Sequence, residues 1–274
     1  MQFPLSAALA GRLEFLPEVD STNTQLVSRA SAPNGAEWPD LSVLVTTSQT
    51  HGRGRLGRVW VAPPGKALAI SVLLRPTLPA GEPLGLEHYG WLPLIAGIAM
   101  TKAVARLVPE HSVTLKWPND VQIDGLKVCG ILAELLPGTG IGTGSVVIGA
   151  GLNLAFDAAE LPTPTSTSLG LNGVVLRGDQ LADAALAGYL TELRSLYSAF
   201  LRLGADPEAS SVSEQLGELC STLGQEVRVQ LPGADELRGT ATEIDRSGRL
   251  MVRKSTDGRV VSVAAGDVTH LRYE

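Results

Sequence analysis

LSVLVTTSQTHGRGRLGRVWVAPPGKALAISVLL, residues 41–74, sets a glycine- and arginine-rich loop between two apolar runs rich in β-branched residues. The flanks, LSVLVTTS at 41–48 and ALAISVLL at 67–74, predict buried strands. The loop contains a literal G-x-G-x-x-G from Gly52 to Gly57. A dinucleotide-binding turn must open a helix whose N-terminus holds the pyrophosphate. Here Pro63-Pro64 follow, the next element is a strand, and no acidic residue lies near position 75. A P-loop also fails, because Gly65-Lys66 precedes Ala67 where a hydroxyl should meet magnesium. Arg53, Arg55 and Arg58 among glycines suit a loop whose backbone N–H groups and guanidinium forks converge on an anion. Trp60 offers a flat face for stacking. A solvated basic turn with Trp60 in the core fits these residues equally well.

Working outward, Asp20 to Gln25 carries helix-start chemistry, with Thr22 and Gln25 spaced as a capping box and Pro33-Asn34-Gly35 as the stop. Downstream, a helix over Trp91–Leu107 is followed by VTLKW, DVQID and LKVCGILAELL, with Asp124-Gly125 as a hairpin turn. SVVIGAGLNL follows a GTGIGTG turn at 138–144. Strands in hairpins flanked by helices indicate an α+β fold with a mixed sheet. From Asp179, read as an N-cap, to Leu203 the apolar residues keep helical spacing, and Gly204 ends the run. Beyond about residue 214 come the short strands QEVRVQL, LRGTATEI, GRLMVRK and GRVVSVA, separated by turns at Pro232-Gly233, Ser247-Gly248 and Asp257-Gly258. They predict a small closed β-barrel. The expected division is 1–213 and 214–274.

Among 274 residues, 22 Lys and Arg stand against 28 Asp and Glu, and the net charge of -6 offers no global attraction to nucleic acid or an anionic membrane. Cys129 and Cys220 form no C-x-x-C pair, the four histidines lack metal-ligand spacing, and no G-x-S-x-G elbow occurs. A metal hydrolase or a protein nucleophile therefore has no support. No basic leader and no run of about 18 apolar residues is present, so a cytoplasmic location is expected.

Three further stretches can carry chemistry. Lys116-Trp117-Pro118-Asn119-Asp120 places a cation, an amide and a carboxylate at one sheet edge, although Asp120 can equally bond its own turn. Lys127 is the one ionisable residue between Leu126 and Ala133, either a point charge at a site or a snorkelling side chain. Gly149-Ala150-Gly151-Leu152-Asn153 permits close backbone approach by a ligand or simple tight packing.

Taken in order, Ser21-Thr22-Asn23, Gln49-x-x-Gly-Arg-Gly-Arg-x-Gly-Arg-x-Trp60, Lys116-Trp-Pro-Asn-Asp120, Lys127-x-x-Gly130 and Gly149-x-Gly-x-Asn153 closely resemble the biotin protein ligases. Cys129, where many members have Ala, and Leu152, where Ile is common, are small departures. The motifs span about residues 15–155; the C-terminal part agrees in placement and strand pattern. The resemblance implies a class II synthetase-like catalytic domain with an SH3-like C-terminal barrel. It implies ATP-dependent formation of biotinyl-AMP and transfer of biotin to a lysine of a carboxylase carrier protein, with Mg²⁺. It implies a biotin pocket bounded by Ser21, Thr22, Asn23, Gln49, Gly52, Arg53, Gly54, Arg55, Lys127 and Gly130. Arg58, Trp60, Lys116, Asn119 and Asn153 would meet the nucleotide, and Arg55, Lys127 and Asp120 would serve catalysis. Asp120 is a candidate for magnesium or for activation of the lysine, and which residues meet the metal is otherwise left open. Only 20 residues precede Ser21, too few for the helix-turn-helix of repressor members, so no nucleic-acid partner is expected. The expected state is a monomer or weak homodimer. A lipoate-type ligase of the same fold, or a nucleic-acid-binding module built on the basic loop and barrel, are the rival readings.

Overall fold

A computed structural model of the chain describes residues 1–136, 144–231, 236–264 and 267–271. Seven strands form one mixed sheet: β1 (Arg12–Phe15), β2 (Ser42–Thr46), β3 (Ala67–Leu74), β4 (Val113–Lys116), β5 (Asp120–Ile123), β6 (Leu126–Leu136) and β7 (Ser145–Asn153), in the order β1-β2-β3-β7-β6-β5-β4. β2 and β3 are buried throughout, which is why they read as continuous apolar runs instead of alternating ones. Among the seven strands of this sheet, as described, β1 and β2 are the pair that runs parallel, and such a pair needs a crossover. The connection carries helix α2 (Thr22–Ser31), which brings the Ser-Thr-Asn motif onto the sheet. Asp124 and Gly125 both have positive φ, 49° and 83°, as a two-residue I′ hairpin between β5 and β6 requires.

Side-chain alternation divides the core. Val43, Val45, Leu68, Ile70 and Val72 join α3 (Trp91–Leu107) and α4 (Gly178–Arg202) in the larger cluster, whereas Leu44 and Leu73 join Leu26 of α2 on the other face. α1 (Pro4–Ala7) is held by Asp183 of α4, whose carboxylate accepts from the backbone N–H groups of Leu5 and Ser6.

Several expectations are corrected in detail. Ser21, not Thr22, caps α2, its hydroxyl accepting from Thr24 N, while Gln25 donates back to Asp20. Arg177 occupies the N-cap position of α4; Asp179 lies in the first turn and accepts instead from the backbone N–H of Gln2. The expected turns at 138–143 and Pro232-Gly233 lie outside the described residues.

Following α5 (Val212–Leu219), five antiparallel strands form the C-terminal sheet: β8 (Glu226–Gln230), β9 (Glu236–Ile244), β10 (Leu250–Lys254), β11 (Val260–Val263) and β12 (Asp267–His270), in the order β11-β10-β9-β8-β12. This small sheet is consistent with the expected SH3-like unit and has one strand more, β12, than the sequence pattern indicated. Two indoles bond it to the rest of the chain: Trp91 Nε1, at the start of α3, donates to Arg246 O at 2.8 Å, and Trp117 Nε1, just after β4, to Gly248 O at 3.4 Å.

Candidate active site

The arginine loop folds back on itself. Trp60 N donates to Gly52 O at 2.9 Å and Gly54 N to Arg58 O at 2.7 Å, with Leu56 and Gly57 at positive φ near the tip. Gly52 lies outside the cavity lining; a side chain there would collide with the Trp60 carbonyl, so it permits the fold-back. The hairpin lays the Trp60 indole on the sheet, where Gly130 of β6 pairs with Gly151 of β7. A Cβ on Gly151 would stand 2.6 Å from Trp60 Cε2, and one on Gly130 would stand 3.5 Å from Trp60 Cζ3. Gly149 likewise makes room for the Asn23 side chain. Here these glycines accommodate the protein's own side chains.

The N-terminus of α2 forms one end of the cavity. The Gln49 side-chain oxygen accepts from Thr22 N at 2.8 Å and Thr22 Oγ1 at 3.2 Å. Asn23, buried, accepts from Ser71 Oγ at 2.6 Å and donates to Glu134 Oε2 at 2.7 Å. The other Glu134 oxygen is paired with the Arg53 guanidinium, which also reaches Thr24 Oγ1 at 3.3 Å. Ser71, Thr24 and Glu134 were not expected in this network. Ser71 is masked by its apolar strand, and Glu134 follows an apolar run with no charged neighbour in sequence.

Opposite lies the turn between β4 and β5. Asn119 is gripped by β6 through Nδ2 to Ile131 O at 3.1 Å, with Ile131 N returning to Asn119 O at 2.9 Å. Its side-chain oxygen accepts from Arg55 at 3.0 Å, so the loop is tied to this turn. Lys127 forms an ion pair with Asp120 at 2.7 Å, which disfavours the snorkelling reading. Asn153 is buried, donates to Thr167 O at 2.8 Å and leaves its side-chain oxygen without a protein partner.

A cavity of about 330 Å³ brings together Ser21, Thr22, Asn23, Gln49, Arg53, Gly54, Arg55, Arg58, Trp60, Asn119, Asp120, Lys127, Gly130 and Asn153. Pro162, Thr163, Thr165 and Ser166 also line it, brought in by backbone bonds from Lys127 N to Thr165 O and Thr167 N to Lys127 O. Sequence reasoning missed this segment, which carries no charge or glycine signature. Lys116 does not line the cavity. It stands near His270 of the C-terminal sheet, whose buried imidazole is pushed down to about 4, chiefly by desolvation and further by this cation. Burial pushes the Cys129 thiol up to about 12, so it is no nucleophile at neutral pH.

Among the residues lining the cavity Asp120 is the single carboxylate, and Lys127 already engages it. Among the described residues no three His, Cys, Asp or Glu side chains gather. This donor set does not fit a Mg²⁺ ion held by protein side chains alone. A second cleft, of about 320 Å³, shares Arg55, Asn119, Ile131 and Leu132 with the first and reaches Gly248 and Arg249 of the C-terminal sheet.

The Biotin/lipoate A/B protein ligase family model matches residues 15–153, and the Biotin protein ligase C terminal domain model matches 222–271. A biotin–[acetyl-CoA-carboxylase] ligase of Mycobacterium tuberculosis is 38% identical over 95% of this chain and 90% of its own length. This chain belongs to the biotin protein ligase family. Another member, the bifunctional ligase/repressor BirA of Escherichia coli, is 29% identical over 94% of this chain and 74% of its own length. Among solved structures of biotin protein ligases, that from Aquifex aeolicus in complex with biotin and ATP superimposes with a TM-score of 0.70 at 25% identity, covering 94% of this chain and 98% of that one. The Leishmania major biotin protein ligase with biotinyl-5-AMP gives 0.58 at 25% identity, covering 93% and 99%. Among the described residues no helix is long and apolar enough to cross a membrane.

Proposed function

We propose that this chain joins biotin to ATP, forming biotinyl-AMP and pyrophosphate, and then passes biotin to a lysine of a biotin carboxyl carrier protein in the cytoplasm. The observation that carries this reading is the convergence of Arg55, Arg58 and Lys127 on one cavity that Trp60 floors and the α2 N-terminus closes. A carboxylate oxygen must bond to the α-phosphorus while the bond to the pyrophosphate oxygen breaks. Two anions repel, and cations placed beforehand offset that repulsion and stabilise charge on the phosphoryl oxygens. In the second step a lysine amine attacks the acyl carbon and AMP leaves. Asp120, bonded to Lys127, is the group placed to accept the amine's proton.

The biotin end of the cavity is assigned to Ser21, Thr22, Asn23, Gln49, Arg53, Gly54 and Gly130. Trp60, Asn119 and Asn153 are assigned to the nucleotide, with the unpartnered Asn153 oxygen available to an amino donor. Water would destroy the mixed anhydride, so the Gly52–Trp60 hairpin serves as its cover. Residues 1–213 act as the catalytic part. Residues 214–274, reaching the second cleft through Gly248 and Arg249, act as the carrier-facing part. Biotin-dependent exchange of labelled pyrophosphate into ATP, with Mg²⁺ present and lipoate as the control acid, tests the proposal. Exchange with biotin alone is expected; exchange with lipoate alone, or with neither acid, would overturn it.

A further inference from the structure

Glu134 is not itself among the residues lining the cavity, yet both its oxygens are committed to two that are: one to Asn23 Nδ2 at 2.7 Å, the other to the Arg53 guanidinium. Its side chain is 22% exposed, so these charged bonds are partly shielded from water. From the ligase reading and this geometry we infer that Glu134 is a positioning residue, which fixes the polarity of Asn23 and docks the arginine loop against the biotin end of the cavity.

The argument rests on donor and acceptor inventory. An ionised carboxylate only accepts, so Asn23 must turn its NH₂ toward Glu134 and its oxygen toward Ser71. A hydroxyl tolerates either orientation, so Ser71 alone cannot choose. Gly149 leaves room for this amide against β7; Leu132 O, also an acceptor, receives its remaining proton at a long 3.4 Å, so Glu134 at 2.7 Å is the stronger of the two groups that set the polarity. Meanwhile Glu134 pairs with Arg53, which also bonds Thr24 in the first turn of α2. Arg53 is then a strut between the loop and α2, while Arg55, Arg58 and Lys127 supply the positive charge facing the reacting anions. One carboxylate thereby ties β6, α2 and the loop together where biotin is expected to sit.

Glu134→Gln keeps the shape but adds a donor. Its oxygen can still serve Arg53, and its NH₂ then faces Asn23, whose amide must flip to be satisfied. Glu134→Asp keeps the charge but cannot span both partners. Both variants should raise the KM for biotin in pyrophosphate exchange about tenfold or more, leave the KM for ATP within about threefold, and speed release of preformed biotinyl-AMP. Adding Asn23→Asp to Glu134→Gln supplies an acceptor where the flipped amide would turn its oxygen, and should recover part of the lost biotin affinity. A residue that only stabilises the fold would lower the active fraction, hence kcat, and leave KM alone. An unchanged biotin KM in folded Glu134→Gln and Glu134→Asp proteins overturns the inference, as does equal loss toward both substrates. Absence of biotin-dependent exchange in the wild-type protein is a separate result: it removes the ligase reading and this inference with it.

Discussion

Gly151→Ala is the smallest change that reaches the proposed nucleotide floor. Gly151 lies mid-strand in β7, paired with Ala69 on one side and Gly130 on the other, and its φ is not positive, so the backbone accepts alanine. The new methyl would stand 2.6 and 2.7 Å from Trp60 Cε2 and Cζ2. Ordinary carbon–carbon contact is ~3.5–4.0 Å, so something must yield by about 1 Å. β7 is locked between two neighbours, whereas the indole rides on a hairpin held by the Trp60–Gly52 and Gly54–Arg58 bonds. The ring gives way. Overpacking of this kind costs ~1–3 kcal/mol. If that cost falls on the closed loop, nucleotide affinity drops by about 5- to 150-fold. Pyrophosphate exchange titrated with ATP at saturating biotin, and the reverse, reads the effect, with thermal unfolding as a check on the fold. The KM for ATP should rise within that range while the KM for biotin stays within about threefold. An unchanged ATP KM in a folded Gly151→Ala protein would refute the placement of Trp60 beside the nucleotide.

Lys127→Met keeps most of the side-chain volume, deletes the charge and strips Asp120 of its partner; adenylate formation should fall by roughly 10²-fold or more with the fold intact, as single-turnover kinetics will show. Arg55→Gly cuts the bond to Asn119 and adds backbone freedom to the open loop. That variant should still consume ATP and biotin but release biotinyl-AMP faster, so bystander proteins are labelled relative to the carrier; wild-type release and labelling ratios would remove Arg55 from the latch. His270 gives a pH signature: its folded value of about 4 lies below the ordinary 6.5, so the unfolded chain takes up a proton first as pH falls. Its contribution is complete above pH ~6.5 and is lost on the way down to about pH 4, by about 3 kcal/mol for the full shift. Urea midpoints of wild type and His270→Gln should therefore converge or cross as pH drops from 7.5 to 4.5, and parallel curves would contradict the assignment.

Much of this architecture was legible in the sequence because local chemistry agreed with it. The I′ turn at Asp124-Gly125, the helix over Trp91–Leu107 and the buried strands around the arginine loop each follow from a spacing or a backbone requirement. The cavity residues were legible where a motif joins charge to glycine. What stayed hidden depended on tertiary register. Glu134 acquires a role only because β6 passes the α2 N-terminus, and Thr163, Thr165 and Ser166 only because their segment bridges to Lys127. Lys116 shows the reverse: its place in a charged pentapeptide suggested phosphate contact, but it does not line the cavity, and its charge is felt by His270.

The pairing of β3 with β7 bears on how the protein is made. Ala67 sits opposite Asn153, so β7, which carries Gly151 beneath Trp60, joins β3 across a separation of 86 residues, and contacts so distant along the chain form slowly. The Gly52–Trp60 hairpin leaves the ribosome long before Gly130 and Gly151, and until they arrive it has nothing to lie on. Leu56, Val59 and Val61, exposed even in the finished structure, are then accompanied by a bare indole and three arginines. Until β7 has followed it, the loop has no platform on which to fold.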